Sequence, residues 1–150
     1  MKSDSLVLER IAGHLNLEIM PETIAQQFIA ALSRLEADRD LDGITLLFAD
    51  SSEIGNVVAP EKFHGMEGAR TFWKQYRDAF EEVESTFRSQ IATPNQVALE
   101  WTTKGTLSDG SPFYYEGVSI LEFGDGKITR FQAYFDPRAL GRQLESSANV

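Results

Sequence analysis

The sequence contains no cysteine and, among its 150 residues, only two histidines. Without cysteine the chain forms no disulfide and has no thiolate nucleophile and no thiolate metal ligand. The two histidines, His14 and His64, lie far apart and do not have the clustered spacing of a metal site. We therefore predict a protein without a bound metal, and we expect no cofactor.

Basic residues are also scarce, with 14 Lys and Arg against 23 Asp and Glu and a net charge of −9. Such a chain repels phosphate backbones, so nucleic acid is not an expected partner. Long hydrophobic runs are missing too. Near the N-terminus, the apolar residues 6–8 are followed at once by the charged residues Glu9 and Arg10. We expect no signal peptide and no membrane partner, and we predict a soluble cytoplasmic protein.

The length fits one domain, with residues 1–20 as an arm or short helix and residues 21–150 as the domain. Apolar residues recur at helical spacing from Pro21 to Ala37 and from Met66 to Val83. Between these two helices, Asp40 can cap a short helix that continues through Phe48. A brief strand is expected near residues 54–58.

After the third helix the period changes from 3.6 residues to 2. Alternation predicts strands over residues 84–92, 97–104, 113–123 and 127–135, and turn residues separate them at the spacing of successive hairpins. Helices followed by a meander indicate an α+β fold.

Four phrases occur in an order typical of one superfamily: LLFAD (46–50), FHGMEGARTFW (63–73), GVSILEFGDGKI (117–128) and YFDPRALGRQL (134–144). With them the chain resembles the nuclear transport factor two-like superfamily, in particular its SnoaL-like and ketosteroid-isomerase-related branch. The resemblance covers about residues 21–145. It implies a cone-shaped, curved antiparallel sheet, with three N-terminal helices packed over its concave face and a pocket between them.

The resemblance also shows what this chain lacks. Ketosteroid isomerases use a tyrosine and two aspartates, and these roles fall on Leu32, Asn56 and Ser119. Loss of a general base alone costs about 10²–10⁴ in rate. Isomerisation of the steroid type is therefore not expected.

Limonene-epoxide hydrolases resemble the chain at YFDP and use an Asp-Arg-Asp set, which falls here on Trp101, Thr103 and Ala133. Of the two residues that hold the attacking water in that family, the asparagine is kept as Asn56, whereas the tyrosine falls on Ile54. SnoaL-type cyclases carry an acid or histidine on the inner face of the last strand, which here holds only apolar side chains. The chain departs from all three catalytic patterns.

Two polar residues are candidates for chemistry. His64, in the loop before the third helix, could reach the cone mouth and act as a base near neutral pH, although loop histidines are often only solvated. Asn56 could orient a water or a carbonyl, or could satisfy backbone groups. Asp50 and Asp136 are interpreted as capping residues, with Asp50 ending the second helix and Asp136 preceding Pro137.

Side-chain alternation in the meander, the apolar stripe of the third helix and, for Leu32, the resemblance give the remaining expected pocket positions, which are mostly apolar and aromatic with a few neutral hydroxyls. They are Leu32, Phe72, Tyr76, Phe87, Trp101, Thr103, Tyr115, Ser119, Phe131, Ala133 and Phe135. Such a lining suits a small neutral cyclic or aromatic ligand better than a phosphate or a carboxylate. The same set would also serve as an ordinary core.

The opposite face of the sheet has an apolar centre and a charged rim, and relatives in the superfamily often dimerise through it. The central residues are Tyr114, Val118, Ile120 and Tyr134. We predict a homodimer. Three functions stay open: a cyclase, isomerase or hydrolase without the usual carboxylates, a non-catalytic ligand-binding module, and an interaction module with a filled cone.

Overall fold

A computed structural model describes residues 20–139, with side chains from Ile24 onward. The predicted arm, apart from Met20, and His14 lie outside the described residues, as does the end of the fourth phrase. In chain order the described elements begin with helix α1 (Met20–Asp38), helix α2 (Leu41–Thr45) and strand β1 (Phe48–Asn56). They continue with strand β2 (Phe63–His64), helix α3 (Gly65–Asp78) and strands β3 (Glu82–Thr93), β4 (Gln96–Thr106), β5 (Pro112–Gly124) and β6 (Lys127–Phe135).

The short helix α2 begins as predicted and ends earlier than predicted. The Asp40 side chain caps it by accepting a hydrogen bond from the Gly43 backbone N–H at 3.2 Å. The helix ends at Thr45, and Phe48 opens strand β1 instead of closing the helix. Phe48 is fully buried, with its ring against Trp73 and Phe131, and this packing requires the extended backbone of a strand.

Helix α3 also ends earlier than predicted, at Asp78, so Val83 belongs to strand β3. The buried guanidinium of Arg77 explains this end, because it donates to the backbone carbonyls of Phe80 and Glu81, at 3.0 and 3.3 Å. It also donates to the Glu36 carbonyl near the end of α1, at 3.0 Å. One side chain therefore fixes the turn between helix and sheet.

The six strands form one curved sheet in the order β2-β1-β6-β5-β4-β3. The four-strand meander β3 to β6 is antiparallel, as predicted, and helices pack on the concave face. The predicted brief strand near 54–58 is longer and earlier, since β1 covers Phe48–Asn56. Strand β1 pairs parallel with β6, so the sheet contains one parallel pair beside its antiparallel ones. The chain is an α+β domain of the cone type.

A β-bulge changes side-chain parity in β3. Phe87 pairs with Trp101, but Ser89 pairs with Glu100, so the register shifts across Arg88. Beyond the bulge, Ile91 is 72% exposed and no longer shares a face with Phe87. Simple alternation along β3 therefore fails at its second half.

Aromatic rings join the helices to the sheet. Trp73 on α3 lies with its ring centroid 5.0 Å from that of Phe131 on β6 and 4.9 Å from that of Phe72. Phe28 on α1 approaches Phe131 at 5.5 Å. Aromatic contacts of this kind add about 0.5–1.5 kcal/mol each beyond area burial. This cluster therefore packs α1 and α3 against β6.

Gly117 leaves space for the Trp101 indole and for the Tyr134 carbonyl. A Cβ at position 117 would stand 2.3 Å from the Tyr134 carbonyl oxygen and 2.8 Å from the indole of Trp101. We expect Gly117→Ala to lower the free energy of unfolding by about 2–3 kcal/mol through overpacking. Gly124→Ala is the control in the same strand, since its Cβ would meet nothing within 4 Å. Equal urea midpoints for the two variants would contradict the predicted overpacking.

Candidate functional site

A cavity of about 350 Å³ lies between the helices and the concave face of the sheet. All of the expected ligand-binding positions, from Leu32 on α1 to Phe135 on β6, line this cavity. The structure adds lining residues that sequence reasoning missed. They are Phe28, Gly55, Val58, Ala59, Phe63, Trp73, Gln75, Ala79, Phe80 and Ser85.

The lining is electrically neutral. Within the part of the chain that the structure describes, no Asp, Glu, His, Lys or Arg lines the cavity. Leu32, Trp101 and Ala133, the positions onto which the resemblance places catalytic groups of other families, do line it. At these positions the lining carries no ionisable group.

His64 does not line the cavity. Consecutive side chains of a strand point to opposite sides, and in the two-residue strand β2 the neighbouring Phe63 lines the cavity while His64 is exposed. His64 is therefore not among the lining residues, and its role as a base at the cone mouth stays a prediction.

The two aspartates also lie away from the cavity lining. Asp50 is exposed within strand β1, which corrects its predicted place at the end of a helix. Asp136 accepts a hydrogen bond from the Arg138 backbone N–H at 2.9 Å, directly before the helical turn that begins at Pro137. This is the geometry of a helix cap.

Asn56 ends strand β1 and lines the cavity. Its side-chain oxygen accepts hydrogen bonds from the backbone N–H groups of Val58 and Ala59, at 2.9 and 3.3 Å. The side chain thus holds the loop after β1 in an Asx turn. Because the oxygen is engaged in that turn, the amide N–H₂ is the part of Asn56 that is left to donate to a ligand.

The residue that sequence reasoning missed most clearly is Glu36, a carboxylate that is only 5% exposed. It accepts hydrogen bonds from the Tyr76 hydroxyl and the Ser85 hydroxyl, both at 2.6 Å, and from the Ser85 backbone N–H at 2.8 Å. The Ser85 hydroxyl also lies 2.8 Å from that of Thr103. Tyr76, Ser85 and Thr103 line the cavity, so Glu36 stands directly behind its wall.

A signal for Glu36 exists in the sequence. Glu36 follows Leu32 by four residues and therefore lies on the same stripe of α1 as Phe28 and Leu32. A charged residue on the buried stripe of a helix indicates a paired or hydrogen-bonded group. The buried Arg77 is close enough to interact electrostatically with Glu36.

A second polar pair lies on the sheet side of the cavity. The Trp101 indole N–H donates to the Ser119 hydroxyl at 2.9 Å, and both residues are buried. Another indole in the lining, that of Trp73, has a buried N–H without a hydrogen-bond partner among residues 20–139. The lining therefore combines aromatic surface with a few fixed dipoles.

Burial raises the pKa of two tyrosines in the lining. The pKa of Tyr76 is well above its ordinary value because of desolvation and then the nearby Glu36 carboxylate. The pKa of Tyr115 is raised by the same causes in the same order. Both hydroxyls are therefore neutral hydrogen-bonding groups at physiological pH.

These shifts predict a loss of stability in alkali. Above pH ~10 the unfolded chain releases both tyrosine protons while the folded chain retains them. The stabilisation is complete below pH ~10 and falls above it, by roughly 1.4 kcal/mol per pH unit for each tyrosine. Urea denaturation at pH values between 8 and 11 should show a shallower fall in Tyr115→Phe. The exposed Tyr114→Phe serves as the control, and an unchanged slope in Tyr115→Phe would contradict the assignment.

No group of three or more residues suited to hold a metal ion occurs between residues 20 and 139. Over the same residues, no helix is long and apolar enough to cross a membrane.

The family model for the SnoaL-like domain matches residues 25–131 of the chain, which is more than half of its length. No curated protein matches the sequence. Solved structures with the same fold are numerous, and all of those compared below are less than 25% identical to the chain.

Three of these structures illustrate the range of proteins that have this fold. An NTF2-like protein of unknown function from Burkholderia pseudomallei is 17% identical with a TM-score of 0.73, covering 83% of this chain and 96% of that chain. TerC, co-crystallised with polyporic acid, is 20% identical with a TM-score of 0.70, covering 81% and 98%. An LEH-like epoxide hydrolase of M. tuberculosis is 19% identical with a TM-score of 0.65, covering 83% and 91%. These likenesses concern the fold.

Proposed function

Because the chain belongs to the SnoaL-like domain family, we propose that it binds a small, uncharged cyclic or aromatic molecule in the cavity of its cone. The neutral lining is the observation that carries this proposal. Aromatic rings from the helices and from the sheet, such as those of Phe72, Trp101 and Phe131, stand on several sides of one space. Flat apolar ligands gain most from such surfaces.

The size and composition of the cavity support this choice. At about 350 Å³ the cavity falls at the lower end of the range of small-molecule sites, about 300–1,000 Å³. Its few polar groups, among them Asn56, Thr103 and Ser119, can orient a ligand without contributing charge. A carboxylate or phosphate would lose its hydration there and find no cation, which costs several kcal/mol.

Glu36 favours a second candidate function, catalysis. Its carboxylate is linked by single hydrogen bonds to Tyr76 and Ser85, which line the cavity, so a proton could pass between a ligand and this group. Structural neighbours include TerC, co-crystallised with polyporic acid, and an LEH-like epoxide hydrolase. We favour binding over catalysis. The Glu36 carboxyl group already accepts three hydrogen bonds, and its two oxygens have only about four lone-pair sites, so little capacity is left to accept a proton from a ligand.

The proposal is tested by thermal denaturation with two ligands of matched shape, 2-naphthol and 2-naphthoate, at pH 7. The neutral ring should raise the melting temperature in a saturable manner, because only the folded chain offers the cavity. The anion should have little effect at the same concentration. Equal stabilisation by both ligands, or none by either, would refute the proposal. Turnover of a cyclic substrate that is lost in Glu36→Gln would favour the catalytic candidate.

We also propose that the outer sheet face forms a homodimer. Tyr114 on β5 and Tyr134 on β6 are 52% and 45% exposed on this face. The half-buried Val118, which pairs with Tyr134, and Ile120 lie on β5 as well. Aromatic residues at the centre of an apolar patch are typical of interface cores. The area lies on the side of the sheet opposite the cavity, so association would leave the cavity accessible.

Sedimentation at micromolar concentration should therefore give a mass near twice the 16.8 kDa of one chain. Tyr134→Glu should shift the protein to the monomer, because a charge would be buried at the centre of the contact. Glu67→Lys, at an exposed position on helix α3, serves as the control. A monomer at all concentrations would exclude the dimer.

A further inference from the structure

We propose that the section of the cavity wall formed by Tyr76 and Thr103 selects a ligand group that donates a hydrogen bond, such as a phenol, alcohol or N–H group, over a group of the same shape that only accepts one. The inference rests on the proposed function of the cavity as a small-molecule site. It follows from the direction of the hydrogen bonds that run from the cavity wall to Glu36.

Glu36 sets this direction. Three donors converge on its carboxyl group, namely the hydroxyls of Tyr76 and Ser85 and the Ser85 backbone N–H, at 2.6–2.8 Å. The Glu36 carboxyl group is the acceptor in all three of these hydrogen bonds. The Tyr76 and Ser85 protons must therefore both point away from the cavity and toward Glu36.

The direction of hydrogen-bond donation is also fixed at Thr103. Its hydroxyl oxygen lies 2.8 Å from that of Ser85, and one of the two must donate to the other. The single Ser85 hydroxyl proton is already engaged with the Glu36 carboxylate at 2.6 Å, the shorter and charge-assisted bond. Thr103 must therefore donate its only hydroxyl proton to Ser85. Toward a ligand, the Thr103 oxygen can then only accept a hydrogen bond.

The wall of the cavity at this point is consequently made of acceptors. Tyr76 and Thr103 line the cavity, and each has committed its only hydroxyl proton to the chain that ends at Glu36. Thr103 is 2% exposed, so its oxygen is shielded from bulk water. A ligand hydroxyl placed there gains a hydrogen bond, whereas an ether or carbonyl oxygen would meet another lone pair.

The experiment compares 2-naphthol with 2-methoxynaphthalene, in which the hydroxyl proton is replaced by a methyl group. Calorimetric titration of the full chain should give about tenfold tighter binding for 2-naphthol, the value of one net hydrogen bond of about 1.4 kcal/mol. The double variant Thr103→Val and Tyr76→Phe should reduce this ratio to less than twofold. Thr103→Ser, which keeps the hydroxyl, should retain the ratio.

The outcomes separate the two proposals. Equal affinity of the wild-type chain for both ligands overturns the donor selection and leaves the proposed function standing. Failure of both ligands to bind overturns the proposed function itself. A ratio that survives in the double variant also overturns the inference, because the preference would then come from elsewhere. If the double variant does not fold, Thr103→Val alone with its Thr103→Ser control decides, with at least a threefold drop in the ratio expected.

Discussion

Glu36→Ala lowers the free energy of unfolding by roughly 3–5 kcal/mol, the largest loss that we expect from any single substitution outside the aromatic core. The substitution removes the acceptor of three hydrogen bonds from Tyr76 and Ser85. A buried donor left without a partner costs about 1–3 kcal/mol, and the buried Arg77 also loses its nearby carboxylate. Domains of this size have only about 5–15 kcal/mol of stability, so the variant should be close to unfolding.

Urea denaturation monitored by tryptophan fluorescence measures this loss. Glu36→Gln should be intermediate, since the amide keeps one acceptor oxygen. Glu84→Ala is the control, because Glu84 is exposed and its contact with Lys104 is 4.0 Å long, so less than about 0.5 kcal/mol is expected. If Glu36→Ala were as stable as Glu84→Ala, the hydrogen-bond network behind the cavity wall would have no energetic role, and the account of the donor selection would lose its basis.

Ala133→Leu abolishes ligand binding, with affinity for 2-naphthol expected to fall by at least a hundredfold. Ala133 lies on β6 and lines the cavity opposite the helices, so three added carbon atoms occupy the ligand's space. The larger side chain fills part of the existing cavity, so the free energy of unfolding should change by less than about 1.5 kcal/mol. Loss of binding without loss of stability separates this effect from misfolding.

Ala92→Leu makes the same chemical change on an exposed part of β3 and provides the control. Its affinity for 2-naphthol should equal that of the wild-type chain in a calorimetric titration. If Ala133→Leu also bound 2-naphthol normally, the ligand would be bound outside the cavity. That result would show that the lining of the cone does not form the binding site.

The part of the fold that could be predicted from the sequence is the meander. Buried and more exposed positions alternate along most of strands β4 and β5, and the turns of the meander carry Asn, Asp or Gly. At Asp125 and Gly126 both φ angles are positive, 55° and 76°, which is the geometry these residues favour. Local preference and tertiary structure agree there, so the strand bounds follow closely.

The region around β1 could not be predicted in the same way. The run from Leu46 to Phe48 is compatible with a helix and with a strand, and only its tertiary partners decide between them. Phe48 pairs with Ile128, eighty positions later in the chain, and packs against Trp73. A parallel partner so distant in sequence leaves no local signal, and the bulge at Arg88 leaves none either.

The candidate site follows the same division. The alternation of side chains along a strand predicts neutral lining positions such as Thr103 and Ser119, because the pairing of β4 with β5 contains no bulge. Glu36 was not recognised, although its position on the buried stripe of α1 pointed to it. The partners that make its burial tolerable come from α3 and β3, Tyr76 and Ser85, and a sequence does not show that these meet.

The central claim, that the cone holds an uncharged ring, is tested most directly by a crystal structure of the protein with 6-bromo-2-naphthol. The account predicts an anomalous bromine peak inside the cavity among Phe72, Trp101 and Phe131, with the ring between helix α3 and the sheet. A bromine peak on the outer surface, or a cavity closed by its own side chains with no ligand inside, would contradict it.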